Sequence, residues 1–270
     1  MSDKKTPIKE DINFLEYPNW LVSERSDFKT LTIEKENGRY VISTTDNIDR
    51  LPDRTDKIVL YYLLHVILPT KKNKLITSRY NILKNAFDNT SKQYYERIID
   101  SLNRWLSITI LFDGVFYGDN EYTARGFHIL DGYKLNNDGK LEIYFDEQYL
   151  EQLRKTDYFK LINFNEYKRL KKPVAARSYE ILIKTFKDRY TWKIDIIKLA
   201  EKLTLSKRYP SQVLEKLIPA VNEINRQTEL NVKLDYNKKT RICTFTKVKQ
   251  AQLMESEDKP EETSFPEDTN

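Results

Sequence analysis

The side chains that could do covalent chemistry in this 270-residue sequence do not fall at spacings that would let them act together. The two histidines, His65 and His128, stand apart from one another and from Cys243, the lone cysteine, so no metal-ligand cluster can be assembled. For the same reason the His-x-His pair that a rolling-circle nicking enzyme sets beside a catalytic tyrosine is missing, and the 18 tyrosines read as core and stacking residues. None of the six glycines belongs to a Gly-x-x-x-x-Gly-Lys-Ser/Thr run, which excludes a P-loop. Acidic pairs such as Asp119 with Glu121, or Glu261 with Glu262, fall in turns or near the C-terminus, where a solvated face explains them. The expectation is therefore no catalytic residue, no cofactor and no metal, that is, not an enzyme.

What the polar residues can do is grip a polyanion. Residues 250–270 carry seven acidic residues against Lys259, a net −6, so the overall +5 conceals a body of +11 over residues 1–249. In a helix-turn-helix, the N-terminal half of the third helix enters the major groove, where its amides favour phosphate and its exposed side chains reach base edges. That geometry selects Ser211, Gln212, Glu215 and Lys216 as base readers, with Lys207 and Arg208 on the backbone and Lys238, Lys239 and Arg241 at the tip of a following hairpin. Gln pairs with adenine, Lys or Arg with guanine, and Glu accepts from cytosine. A second set, Lys92, Gln93, Arg97 and Arg104, lies on the outward face of an earlier helix, and Arg177 on another.

The elements that must position these residues follow from hydrophobic period. Val213, Leu214, Leu217, Ile218, Val221 and Ile224 recur at three- and four-residue steps, predicting a helix from Ser211 to about Gln227. After Glu229 the period becomes two, with Asn237 to Thr240 as a turn between strands. Upstream, Ile194–Leu203 and Ala175–Asp188 are helical, the latter exposing Arg177, Lys184 and Lys187, and Asn165–Lys171 forms a further helix.

In the N-terminal half, Phe28–Ser43 alternates around Asn37-Gly38 and reads as a hairpin. Ile58–Leu68 is apolar nearly all round, too short to cross a bilayer and stopped by Pro69, so it is a buried helix with His65 in the core. Helices follow from Thr77 and, behind an N-cap at Ser91, over Tyr94–Leu106 with Tyr95, Ile98, Ile99, Leu102 and Leu106 inward. Strands over Ile108–Phe112 and Tyr122–Leu130 make the hairpin after it, and Asn136–Gly139 is a turn before a strand over Lys140–Phe145.

The fold class expected is α+β, two tandem winged-helix domains, each a helix-turn-helix followed by a β-hairpin wing. The division is a flexible N-terminus over 1–24, a first domain over 25–155, a second over 156–249 and an acidic disordered tail over 250–270. No signal peptide or spanning segment is present, so the compartment is the cytoplasm.

Val213-Leu214, Pro219–Asn225, Thr228–Val232 and Arg241 ahead of a strand resemble the C-terminal winged helix of iteron-binding plasmid replication initiators, the Rep or replication initiator protein A type. Pro173–Leu182 is similar to the helix that opens that domain. The resemblance is clear over residues 140–248 and looser over 50–130. It implies a sequence-specific double-stranded DNA-binding protein that binds origin repeats, starts plasmid DNA replication and recruits host replication proteins such as a helicase or initiator. It also implies monomers that bind the repeats and a homodimer that binds an operator through the first domain, for which the hairpin Phe28–Ser43 offers an edge. The alternatives are a winged-helix transcriptional repressor acting on its own promoter and, behind it, a rolling-circle nicking enzyme.

Overall fold

The computed structural model describes residues 7–22, 28–118, 123–186, 189–205 and 209–248. It is a mixed α and β fold in which most helices begin at an Asp, Asn or Ser N-cap and most strands find partners far along the chain.

At the N-terminus, residues 7–22 depart from the flexibility expected of 1–24. Strand β1 (Pro7–Asp11) pairs antiparallel with β9 (Phe159–Asn163), from Pro7 opposite Asn163 to Asp11 opposite Phe159. Asp11 then caps the short helix α1 (Ile12–Glu16) by accepting from the Asn13 N–H at 2.8 Å. The polar composition of this stretch misleads because its buried polar side chains find partners far along the chain. Lys57 donates to Glu10 at 3.0 Å, and Trp20 Nε1 donates to Glu180 at 3.2 Å. Asn13 exchanges two hydrogen bonds with the Tyr117 backbone at 2.7 and 3.0 Å.

The hairpin of β2 (Thr30–Lys35) and β3 (Gly38–Thr44) forms, with Lys35 opposite Gly38, so its two-residue loop is Glu36-Asn37, one position before the Asn37-Gly38 turn expected. Gly38, at φ +154°, lies so close to the Asp113 carbonyl that a Cβ there would stand 1.9 Å from the oxygen. Helix α2 (Arg54–Ile67) begins in a reciprocal capping box between Asp53 and Asp56, and runs through the apolar stretch that the sequence marks as buried. After it come β4 (Lys74–Ser78), α3 (Arg79–Phe87), a 3-10 turn over Lys92–Tyr94, and α4 (Tyr95–Ser107). Ser91 makes no side-chain cap; its own N–H donates to Asn89 Oδ1 at 2.8 Å instead. On α4 the fully buried residues are Ile98, Ser101, Leu102 and Trp105, while Tyr95, Ile99 and Leu106 are half-buried.

The hairpin expected directly after α4 belongs to a different sheet. β5 (Ile108–Asp113) and β6 (Ala124–Phe127) extend the N-terminal hairpin into a four-stranded sheet of order β2-β3-β5-β6. The strands beside α4 are instead β7 (Leu130–Leu135) and β8 (Lys140–Phe145), joined by the Asn136–Gly139 turn, with β4 against the far side of β8. Helix α5 (Glu147–Lys155), capped by Asp146, leads back to β9.

The rest repeats this plan. Helix α6 (Phe164–Arg169) is followed by α7 (Pro173–Thr185), β10 (Thr191–Asp195), α8 (Ile196–Lys202), α9 (Pro210–Gln227), β11 (Val232–Asn237) and β12 (Ile242–Lys247). The order α2-β4-α3-α4-β7-β8, with sheet β4-β8-β7, is matched by α7-β10-α8-α9-β11-β12, with sheet β10-β12-β11. Buried side chains of both halves and of the N-terminal stretch form one continuous apolar cluster.

Where these parts meet lies a buried polar network. Arg177 and Glu180, both on α7, are ion-paired at 2.8 Å with side chains fully inaccessible. Arg177 also donates to the carbonyls of Lys202 and Glu16, and Tyr61 of α2 donates to Glu180 at 3.1 Å. Glu16 is shared by the ammonium groups of Lys184 and Lys202. Burial works against its charge, but the two cations outweigh it and draw its pKa down to about 2.

Candidate nucleic-acid interface

Helix α9 is held by polar residues that leave one face clear. Asn225 exchanges two 2.9 Å hydrogen bonds with the Val232 backbone, fixing the helix against β11. The buried Glu223 carboxylate accepts from the Lys172 N–H at 3.2 Å at the start of α7. The inward stripe is Val213, Leu217, Ala220, Val221 and Ile224. Ile218, expected inward, is 50% exposed, because steps of four from Val213 place it beyond the edge of the buried face.

Ser211, Gln212, Glu215 and Lys216 are all exposed on α9. No side chain caps this helix at Tyr209, so the positive end of its dipole points outward around Pro210 and Ser211. Lys216 Nζ lies 3.7 Å from Glu215, an exposed pair. Lys207 and Arg208 lie outside the described residues.

The β11–β12 turn carries Lys238 and Lys239 exposed at its tip, and Asn237 Oδ1 shapes it by accepting from the Lys239 and Thr240 N–H groups. Arg241 leaves the turn at φ +58° with its guanidinium 3.6 Å from Asp195, the residue that caps α8. The base of this hairpin is thereby tied to the helix before α9.

In the first half, Lys92, Gln93 and Arg97 are exposed where the 3-10 turn runs into α4. Arg97 sits near the Tyr94 ring, 5.8 Å from its centroid, while Arg79 stacks on Tyr95 at 4.9 Å and pairs with Glu96 at 3.2 Å. Tyr133 of β7 donates to Asn103 at 2.8 Å, tying α4 to its hairpin. Hydrophobic period alone points to β5 and β6 as the hairpin and does not single out Lys134 and Lys140, which flank the Asn136–Gly139 turn and correspond in position to the Lys238–Lys239 turn. The Asn-Asn-Asp-Gly turn signal marks the place.

Two of the arginines expected at DNA, Arg177 and Arg104, lie in the interior instead. Arg177 is fully buried in the network described above and cannot reach a ligand outside. Arg104 turns inward: its Nε and Nη2 donate to the two oxygens of the buried Asp56 carboxylate at 2.7 and 2.9 Å, and neighbouring Trp105 Nε1 donates to the Asp56 carbonyl. Arg104 thus fixes the rotation of α4 against the start of α2. Arg104→Ala is expected to cost about 1.5–3 kcal/mol of stability, as for a hydrogen bond to a charged group. The salt dependence of any DNA binding should stay unchanged. Thermal melts and a salt titration check this; intact stability with a slope of log K against log salt flatter by about 1 would return Arg104 to the phosphate backbone.

Among the described residues no group of three or more His, Cys, Asp and Glu could hold a metal ion, and no helix is long and apolar enough to cross a membrane. Cys243 is buried in β12 and its thiol is pushed up to about 11 by that burial.

No family model matches this sequence, and no curated protein matches it. Solved structures do share its fold. Domains 2 and 3 of RctB superpose with a TM-score of 0.60 at 15% identity, covering 88% of this chain and 98% of theirs. A second structure of the RctB domains 2–3 gives 0.53 at 16% identity, covering 87% and 97%. The Pi initiator protein in complex with iteron DNA gives 0.52 at 13% identity, covering 92% and 99%.

Proposed function

We propose that this chain is a replication initiator that binds repeated origin sequences in double-stranded DNA through two tandem winged-helix domains, over residues 25–155 and 156–249. Helices α4 and α9 are the reading helices, and the β7–β8 and β11–β12 hairpins are the wings. The protein acts by binding, without catalysis, in the cytoplasm.

The observation that carries this reading is the internal repeat. In each half a third helix with a polar, exposed N-terminal face is followed by a hairpin, with a strand from between the first two helices against the hairpin's outer edge. A helix of that width and an adjoining two-stranded ribbon suit a major groove and the phosphates beside it. The likeness to the Pi initiator, a protein solved on iteron DNA, and the sequence resemblance over 140–248 point the same way. The continuous apolar cluster joins the two halves, which suits a site of fixed spacing.

Selection of binding sites from random DNA, followed by hydroxyl-radical footprinting, tests the reading. The expected footprint covers two major-groove segments on one face of the duplex, about one turn or roughly 10 bp apart. Enrichment of no sequence, or protection of one groove segment alone, would defeat it. Incubation with Mg²⁺ and supercoiled DNA carrying the selected site should leave the DNA unnicked and free of covalently attached protein.

A further inference from the structure

A cleft of about 780 Å³ lies between the N-terminal stretch, the turn after β5 and the second half. Four cations line it, Lys160, Lys184, Arg189 and Lys202, against two carboxylates, Glu16 and Asp157. Because Lys184 and Lys202 share the single Glu16 carboxylate, the lining keeps a net positive charge. Its aromatic members Tyr117, Tyr158 and Phe159 remain 39–60% exposed, and Trp192 is half-buried, stacked on Phe245. Exposed rings interleaved with ammonium groups suit an occupant that is acidic and partly apolar.

The chain itself supplies such a segment at the rim. Lys247 N–H donates to the Tyr190 carbonyl at 2.8 Å, so the chain leaves the described fold beside Arg189 and Trp192, both in the cleft wall. Beyond Val248 lie residues 249–270, whose extended reach of about 70 Å exceeds the cleft. Residues 250–270 combine a net −6 with Leu253, Met254 and Phe265. The exit is at the opposite end of β12 from the Lys238–Lys239 turn, a strand length or about 20 Å away. The cleft is the nearer of the two basic surfaces.

We propose that the acidic segment 250–270 occupies this cleft, its carboxylates on Lys184, Lys202 and Arg189 and its apolar side chains over the exposed rings. Seated there it touches the N-terminal stretch, the turn after β5 and the second half at once, and braces the two halves against each other. This inference stands on the cleft and the chain exit and does not depend on the DNA-binding reading.

Carbodiimide cross-linking of the full chain at low ionic strength, with peptide mapping of the monomer band, tests it. Amide links are expected from Glu255, Glu257, Asp258, Glu261 or Glu262 to Lys160, Lys184 or Lys202, and they should fade near 0.5 M salt, where screening is within about 4–5 Å. Replacing those five acids together by Gln or Asn should abolish the links and shift tryptophan emission to the red, since Trp20 and Trp105 are buried and Trp192 alone can respond. The circular dichroism of the fold should not change. Links to Lys216, Lys238 or Lys239 would put the segment on the α9 surface and overturn the proposal, as would an absence of links from the segment.

Discussion

Glu180→Ala is expected to lower the unfolding free energy by about 3–5 kcal/mol, the usual result of removing one partner from a buried ion pair. Arg177 would be left charged at 0% exposure with only the carbonyls of Lys202 and Glu16 to face. Trp20 Nε1 and Tyr61 O–H would lose their acceptor in the same step. Since the whole stability of a domain is about 5–15 kcal/mol, the loss is a large fraction of it. The double replacement Arg177→Met with Glu180→Met removes both charges, and should recover part of the loss while leaving the tryptophan and tyrosine donors unmatched. Urea denaturation of the three proteins measures this. A single-variant loss under about 1 kcal/mol would mean that the carboxylate does not hold the N-terminal stretch, α2 and α7 together.

Arg177 also shows where sequence reasoning stops. Hydrophobic period located α2, α4, α9 and the β11–β12 hairpin because each pairs an apolar stripe with a polar face and closes on a local signal, a cap or a turn. Residues Val174–Leu182 of α7 are buried on every side, so no outward face exists, and residue type alone made Arg177 look solvated. Its partner, three positions on along the same helix, was visible, but the burial that makes the pair matter comes from Trp20 and Tyr61, far away in the chain. Arg104 misled in the same way, since Asp56 lies 48 positions upstream.

Strands β1, β4, β9 and β10 escaped for a related reason. Each is five residues long, too short for a period of two to stand out, and each finds its partner dozens of positions away. Missing β4 and β10 concealed the strongest sign of a repeat, the shared strand order of the two three-stranded sheets. It also allowed β5 and β6 to be read as the first wing, when the Asn136–Gly139 turn belonged to it. The exposed α9 residues were legible because a long amphipathic helix fixes its outward positions by arithmetic alone, with Ile218 at the border as the exception.

If α9 reads bases and its hairpin grips phosphate, substitutions on the two should fail in different ways. Gln212 is exposed in the first turn, one helical turn before Lys216, and neither it nor the hairpin lysines belong to the apolar stripe. Gln212→Ala should therefore leave the fold intact. It should cost about 1–3 kcal/mol on the selected site, the value of one bidentate base contact, and little on random DNA, so specificity falls. Lys238→Ala with Lys239→Ala removes charge from a turn that Asn237 still shapes through its backbone bonds. Binding to both kinds of DNA should weaken alike, and the slope of log K against log salt should flatten by up to about 2. Glu215, which repels phosphate, gives a sign test on the same face. Glu215→Gln should strengthen binding to random DNA, and if Glu215 accepts from a cytosine it should weaken discrimination at that one base pair. Fluorescence anisotropy on selected and scrambled duplexes over a salt series separates these outcomes. Should Gln212→Ala leave site preference untouched while Gln93→Ala or Arg97→Ala removes it, sequence reading resides in α4, and α9 serves to hold the second half on the backbone.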